Sequence, residues 1–179
     1  MASGSTIPNC DLGSLSDGMP GLTPALGHVF AEAAAVCLEH HRHTPGVHLT
    51  TDGHFETTFA VNWAPVTDQQ IRAHNDLQDA TEFGACGVAI FLLKEQTGQI
   101  VVERSRKGTG FDFWLGKDDD LFLKAKARLE VSGILSGGEQ EIRTRVNMKL
   151  KQISKTDGLL PGYIAVVEFS NPKVRVLAK

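Results

Sequence analysis

The segment Tyr163–Phe169 holds one charged side chain, Glu168, in seven residues. A run so uniformly apolar reads as a central β-strand buried on both faces. Such a strand needs a layer of structure on each side of its sheet, so the chain must supply helices as well as further strands. Candidates for both are present. Pro24–His40 carries Leu26, Val29, Phe30, Ala33, Val36 and Cys37 at spacings of three and four, the pattern of an amphipathic helix. Thr23 before Pro24 suits an N-cap followed by proline at the first helical position. Thr67-Asp-Gln-Gln70 has the form of a capping box. It predicts a long helix from there to about Gln96, ended by Thr97-Gly98.

Strands are predicted by alternation and by turn residues. Val47–Thr51 and Phe55–Trp63 flank Asp52-Gly53, a strong hairpin signal, and predict a ribbon that covers one face of the rest of the domain. Gln99–Ser105 reads as a strand, and Lys107-Gly-Thr-Gly110 as a turn. Phe111–Leu115 reads as a second strand, with Phe111 and Phe113 on one side and Asp112 with Trp114 on the other. Ala125–Ile134 is a third, presenting Ala127, Leu129 and Val131 on one face and Lys126, Arg128, Glu130 and Ser132 on the other. A helix over 139–155 comes next, with Ile142, Val146, Leu150 and Ile153 inward. The central strand succeeds it, then a short final strand over Lys173–Leu177. Residues 1–22, rich in Ser, Gly and Pro, read as a flexible tail.

Charge is divided along the chain. Residues 1–100 hold 3 Lys+Arg against 11 Asp+Glu, whereas residues 101–179 hold 15 against 10. A split of this kind fits a polyanion-binding face, and equally fits two halves that dock on each other.

From residue 67 onward the order is helix, strand, strand, strand, helix, strand, with acids in the first helix, the second strand and the third. With Gly110-Phe-Asp112 and Leu129-Glu-Val-Ser132, this resembles the PD-(D/E)XK, or restriction-endonuclease-like, nuclease superfamily over residues 67–170. The resemblance implies an α/β fold with an αβββαβ core, a mixed central sheet flanked by helices. Residues 67–179 would form that core, and residues 23–66 a helix and β-ribbon extension within one compact domain. It further implies a metal-dependent nuclease, or a nuclease-like nucleic-acid-binding protein, acting on phosphodiester bonds in DNA more than RNA. A role in defence against foreign DNA is consistent with the same resemblance.

Carried over by position, Asp112 and Glu130 would hold Mg²⁺ or Mn²⁺, with the Val131 carbonyl as a third ligand and Glu82 as an additional one. A hard cation held by carboxylates compensates phosphate charge and makes a bound water nucleophilic near neutral pH. One position departs from the pattern: Ser132 stands where the family has a lysine, and a serine cannot supply positive charge. Lys107, Lys126 or Arg128 could replace it. Arg104, Arg106, Lys126, Arg128, Arg143 and Lys151 are the candidate phosphate contacts. The alternative is an inactive PD-(D/E)XK-like interaction module that binds a partner protein. A homodimer is also compatible with the sequence.

Other motifs point to structure rather than chemistry. His40-His41-Arg42-His43 reads as a solvated loop after a helix, without the spacing of a zinc site. Gly108-Thr-Gly110 lacks a downstream GK[ST] and is not a phosphate loop. Cys86 reads as a buried small hydrophobe. The three cysteines are odd in number and form no CxxC, which argues for reduced thiols and a cytoplasmic setting. The N-terminus has neither the basic nor the apolar region of a secretory leader, and no apolar run is long enough to span a membrane.

Overall fold

The structure, a computed structural model, describes residues 7–119, 121–158 and 160–179. It is an α/β fold built on one mixed eight-stranded sheet. The elements in chain order are β1 (Asn9–Asp11), a 3-10 turn (Leu12–Asp17), α1 (Pro24–His40), β2 (Val47–Gly53), β3 (Thr58–Asn62), α2 (Asp68–Ala73), α3 (Leu77–Thr97), β4 (Gln99–Arg104), β5 (Phe113–Lys117), β6 (Ala127–Ile134), α4 (Glu139–Ile153), β7 (Gly162–Glu168) and β8 (Lys173–Ala178). The strands lie in the order β1-β3-β2-β8-β7-β6-β5-β4. β4, β5 and β6 form an antiparallel meander, and β7 runs parallel to β6 after the crossover through α4.

The alternation of β6 sorts the two layers. Ala127, Leu129 and Val131 join the larger core beneath α1 and α3, with Phe30, Ala85, Val88 and Leu92. On the opposite face Ile164 and Val166 of β7 meet Ile142, Val146 and Ile153 of α4 in a smaller core. β7 is therefore covered on both sides, as its composition requires. At Gly133 a Cβ would come within 2.4 Å of the Thr81 carbonyl oxygen, so only glycine lets α3 pass this close to β6.

Four expectations are corrected. The predicted long helix is broken: Asp76 accepts from the backbone of Gln78 and Asp79 and starts α3 anew. Thr67 and Gln70 cap only the six-residue α2. Asn75 and Asp76 offer the backbone local side-chain bonds that compete with helix continuation. The tail expected over residues 1–22 is structured from β1 onward: Leu12, Leu15 and Leu22 are buried in the larger core, and Asp11 caps the 3-10 turn through Gly13. Residues 1–6 of it lie outside the described residues. The β2–β3 ribbon does not cover a face but extends the sheet, because β2 pairs in parallel with β8. Finally, Phe111 and Phe113 do not share a side. β5 begins at Phe113, whose ring packs on Phe30, whereas Phe111 stacks edge-on against Trp114 beneath α4. The bend at Asp112, after Gly110 at φ +89°, resets the alternation.

Candidate functional site

That bend places Asp112 opposite the middle of β6. Its backbone N–H donates to the Leu129 carbonyl at 2.8 Å, and its carboxylate Oδ2 accepts from the Val131 N–H at 2.8 Å. Glu130 lies between those two residues, so the acid in the bend just before β5 meets one within β6. Glu130 is 0 % exposed. Its Oε1 accepts from Lys149 Nζ, and from Gln152 Nε2 at 2.9 Å. Its Oε2 is buried and accepts from no donor among the described residues, while the Asp112 carboxylate lies close enough to share a proton with Glu130. Burial, reinforced by the neighbouring Asp112 carboxylate and opposed by Lys149, pushes the Glu130 carboxyl up to about 7. Both effects disfavour the charged form, and the Lys149 ammonium only partly offsets them.

The cations of the site come from α4. Its inward stripe of Ile142, Val146 and Ile153 seats the helix on β7. Arg145, Lys149 and Gln152, at spacings of four and three, share a helical face that turns toward the even-numbered residues of β6. Lys149 and Gln152 reach Glu130, and Arg145 Nη1 donates to Ser132 Oγ at 3.4 Å. Ser132 therefore sits beneath an arginine from a different element. Sequence reasoning misses Lys149 and Gln152. The one signal pointing to them is that polar face, set beside the inward stripe of the same helix.

The turn preceding Asp112 carries Arg104, Arg106 and Lys107, all exposed. It is fixed from both ends. Ser105 Oγ bonds Thr109 Oγ1, whose hydroxyl also donates to the Arg106 carbonyl. A Cβ on Gly110 would approach the Gln152 carbonyl oxygen to 2.6 Å, so the turn lies against the same stretch of α4 that holds Glu130. Arg104 places its guanidinium 5.9 Å from the Phe113 ring.

Other expected residues lie elsewhere. Glu82 is exposed on α3 and lines a groove of about 960 Å³ with Gly133, Thr144, Arg145 and Met148. Burial raises the thiol of Cys86, one turn further along α3. Asp112, Glu130 and Glu82 act on it in the same direction and Arg104 in the other, so these charges share one neighbourhood. They do not gather into one coordination sphere: among the described residues no three His, Cys, Asp or Glu side chains converge as a ligand set. Glu82 is thus a neighbour of the acidic pair rather than its third member.

Arg128 is 1 % exposed. Its guanidinium donates to the Leu160 and Ile153 carbonyls at 2.8 and 3.1 Å and to Thr156 Oγ1. The alternation of β6 puts it on the expected face, but α4 and the turn after it cover that face, which leaves no surface for a phosphate. Lys126 is exposed at the loop end of β6, remote from Asp112, and Arg143 pairs with Glu139 at 3.4 Å. Lys151 is exposed on α4. In the histidine run, His41 Nε2 bonds the Leu135 carbonyl at 2.6 Å, and His43 Nε2 bonds the carbonyls of Phe169 and Ser170. These two rings tie the end of α1 to the sheet. Comparison of the chain with protein-family models, with curated proteins and with solved structures finds no match.

Proposed function

We propose that this chain is a metal-dependent nuclease or nuclease-like nucleic-acid-binding protein of the PD-(D/E)XK type, with Lys149 taking the part of the motif lysine. One observation carries the reading. Glu130 is buried beside Asp112 with no donor to its Oε2 among the described residues, and α4 brings a lysine onto its other oxygen. A buried carboxylate with a half-buried one beside it draws positive charge, which suits a hard divalent cation. Asp112 and Glu130 would hold Mg²⁺ or Mn²⁺. When bound, such an ion supplies charge compensation on phosphate oxygens and a more acidic water.

The chain's own residues do the rest. Lys149, a fifth exposed, faces both the acids and solvent, where it can hold a phosphate oxygen or stabilise developing charge. Gln152 fixes the rotamer of Glu130, and the Val131 N–H fixes that of Asp112. Arg104, Arg106 and Lys107 present positive charge at the entrance, where a polyanion would be drawn in.

A second reading, an inactive module that binds a partner protein, is favoured by a specific feature. The Oε1 of Glu130 is already closed by Lys149 and Gln152, an arrangement that can hold α4 on the sheet without chemistry. Cleavage of DNA and RNA in Mn²⁺ separates the two. The nuclease reading expects Lys149→Met to lower the cleavage rate by about 100-fold or more. It also expects Ser132→Lys, added to Lys149→Met, to recover part of the rate. A wild-type protein that binds Mn²⁺ but cuts neither nucleic acid would support the module.

A further inference from the structure

The β5–β6 loop lies at the other end of the hairpin from Asp112. Register places Phe113 opposite Leu129 near the acids, and Leu115 opposite Ala127 near the loop. At its tip three consecutive apolar residues face solvent: Leu121 at 95 %, Phe122 at 79 % and Leu123 at 41 % exposure. Leu123 adopts φ +47°, a left-handed conformation unfavourable for a leucine.

The charges nearest the triplet are segregated. The sequence reads Asp118-Asp119-Asp120 before it and Lys124 and Lys126 after it, with Lys117 further out on the acidic side. Lys124 Nζ lies 5.7 Å from the Phe122 ring. Lys117, Asp119, Leu121, Phe122 and Lys126 line one open groove of about 660 Å³, so both signs of charge and the apolar tip share a single surface.

A segment ordered acid, apolar, base is complementary to its own copy in the reversed direction. In a twofold contact each residue meets its counterpart about the axis, so acids of one copy face lysines of the other and the apolar centres meet. Phosphate-bearing partners fit less well, because the aspartates would repel nucleic acid and anionic lipid. We propose that this loop is a self-association surface, through which two copies of the chain pair about a twofold axis close to Phe122. The contact leaves the Asp112–Glu130 face open and does not depend on what that face does. It is small beside the roughly 1,200 Å² of a stable interface, so the association is weak and concentration-dependent.

Sedimentation equilibrium of the full chain from about 10 µM to about 1 mM tests it. Wild type is expected to follow a monomer–dimer equilibrium, and Phe122→Asp to weaken it at least about tenfold. Two charge variants are decisive. Lys124→Asp with Lys126→Asp, and separately Asp118→Lys with Asp119→Lys, should each associate at least about tenfold less well with itself, whereas their equimolar mixture forms a heterodimer. Unchanged circular dichroism and melting temperature establish that the variants are folded. A wild type monomeric at about 1 mM, a Phe122→Asp variant that dimerises like wild type, or a mixture no more associated than its components would overturn the proposal. Monomeric wild type whose binding to phosphatidylserine vesicles or to DNA requires Phe122 would assign the loop to that partner and equally overturn it.

Discussion

Replacing Arg128 by alanine is expected to lower the unfolding free energy by about 3–5 kcal/mol, among the largest effects of any single substitution in this chain. The side chain is fully enclosed and fills space between the end of α4 and the start of β7. Its removal leaves a cavity, takes the Arg128 donor from the Leu160 carbonyl and leaves that of Ile153 with the Thr156 hydroxyl. Ile153 ends α4, where a cation also complements the helix dipole. For a domain of this size the loss corresponds to a fall in melting temperature of roughly 6–20 °C. Arg128→Lys keeps the charge but not the planar fork, and is expected to recover less than half of the loss. Thermal denaturation monitored by circular dichroism measures both. A loss below about 1 kcal/mol, accompanied by weakened nucleic-acid binding, would instead make Arg128 a phosphate contact.

Glu130→Gln is expected to stabilise the metal-free protein at pH 8, an unusual outcome for a buried polar residue. The folded chain holds the Glu130 proton up to about pH 7, whereas the ordinary carboxyl releases it near 4.5. Between those values the unfolded state binds fewer protons than the folded one, so stability falls as pH rises through this window and levels off above it. At about 1.4 kcal/mol per unit the total is at most about 3.5 kcal/mol. Glutamine keeps the shape and can still accept from Lys149, while removing the buried charge. Lys149 reaches water and tolerates a neutral partner. Urea denaturation at pH 5 and pH 8 in a chelating buffer should therefore show the wild type losing stability relative to the variant. A Glu130→Gln protein less stable than wild type at pH 8 would mean that the Glu130–Lys149 pair is a net stabiliser, and would contradict the electrostatic account.

The elements legible in the sequence are those whose signals are local. Pro24–His40 is a helix over the residues its periodicity and Thr23 cap define, and β2 and β3 pair antiparallel as expected, although Asp52-Gly53 ends β2 against β8 and the turn falls over residues 54–57. β7 is buried as its apolar run requires. The N-terminal segment is hidden from such reading because Leu12, Leu15 and Leu22 follow no period and lie among Ser and Gly, yet tertiary contacts alone bury them. Alternation finds the face of β6 that carries Arg128, Glu130 and Ser132, but not what covers it. Whether that face meets water or a helix depends on how α4 crosses back, which no local pattern records. In sequence Arg128 therefore reads as a surface cation, and Lys149 and Gln152 as hydrated. The acids of Gly110-Phe-Asp112 and Leu129-Glu130 are legible as candidates, but their meeting depends on the bend before β5, which sets Asp112 beside β6 and which strand parity does not record.

The central claim is that Asp112 and Glu130 form a cation site served by Lys149, and titration calorimetry with Mn²⁺ on chelator-stripped protein at pH 7.5 tests it most directly. One ion per chain is expected in the wild type, with affinity at least about tenfold weaker in Asp112→Asn. No heat of binding in the wild type, or an affinity indifferent to Asp112→Asn, would contradict it.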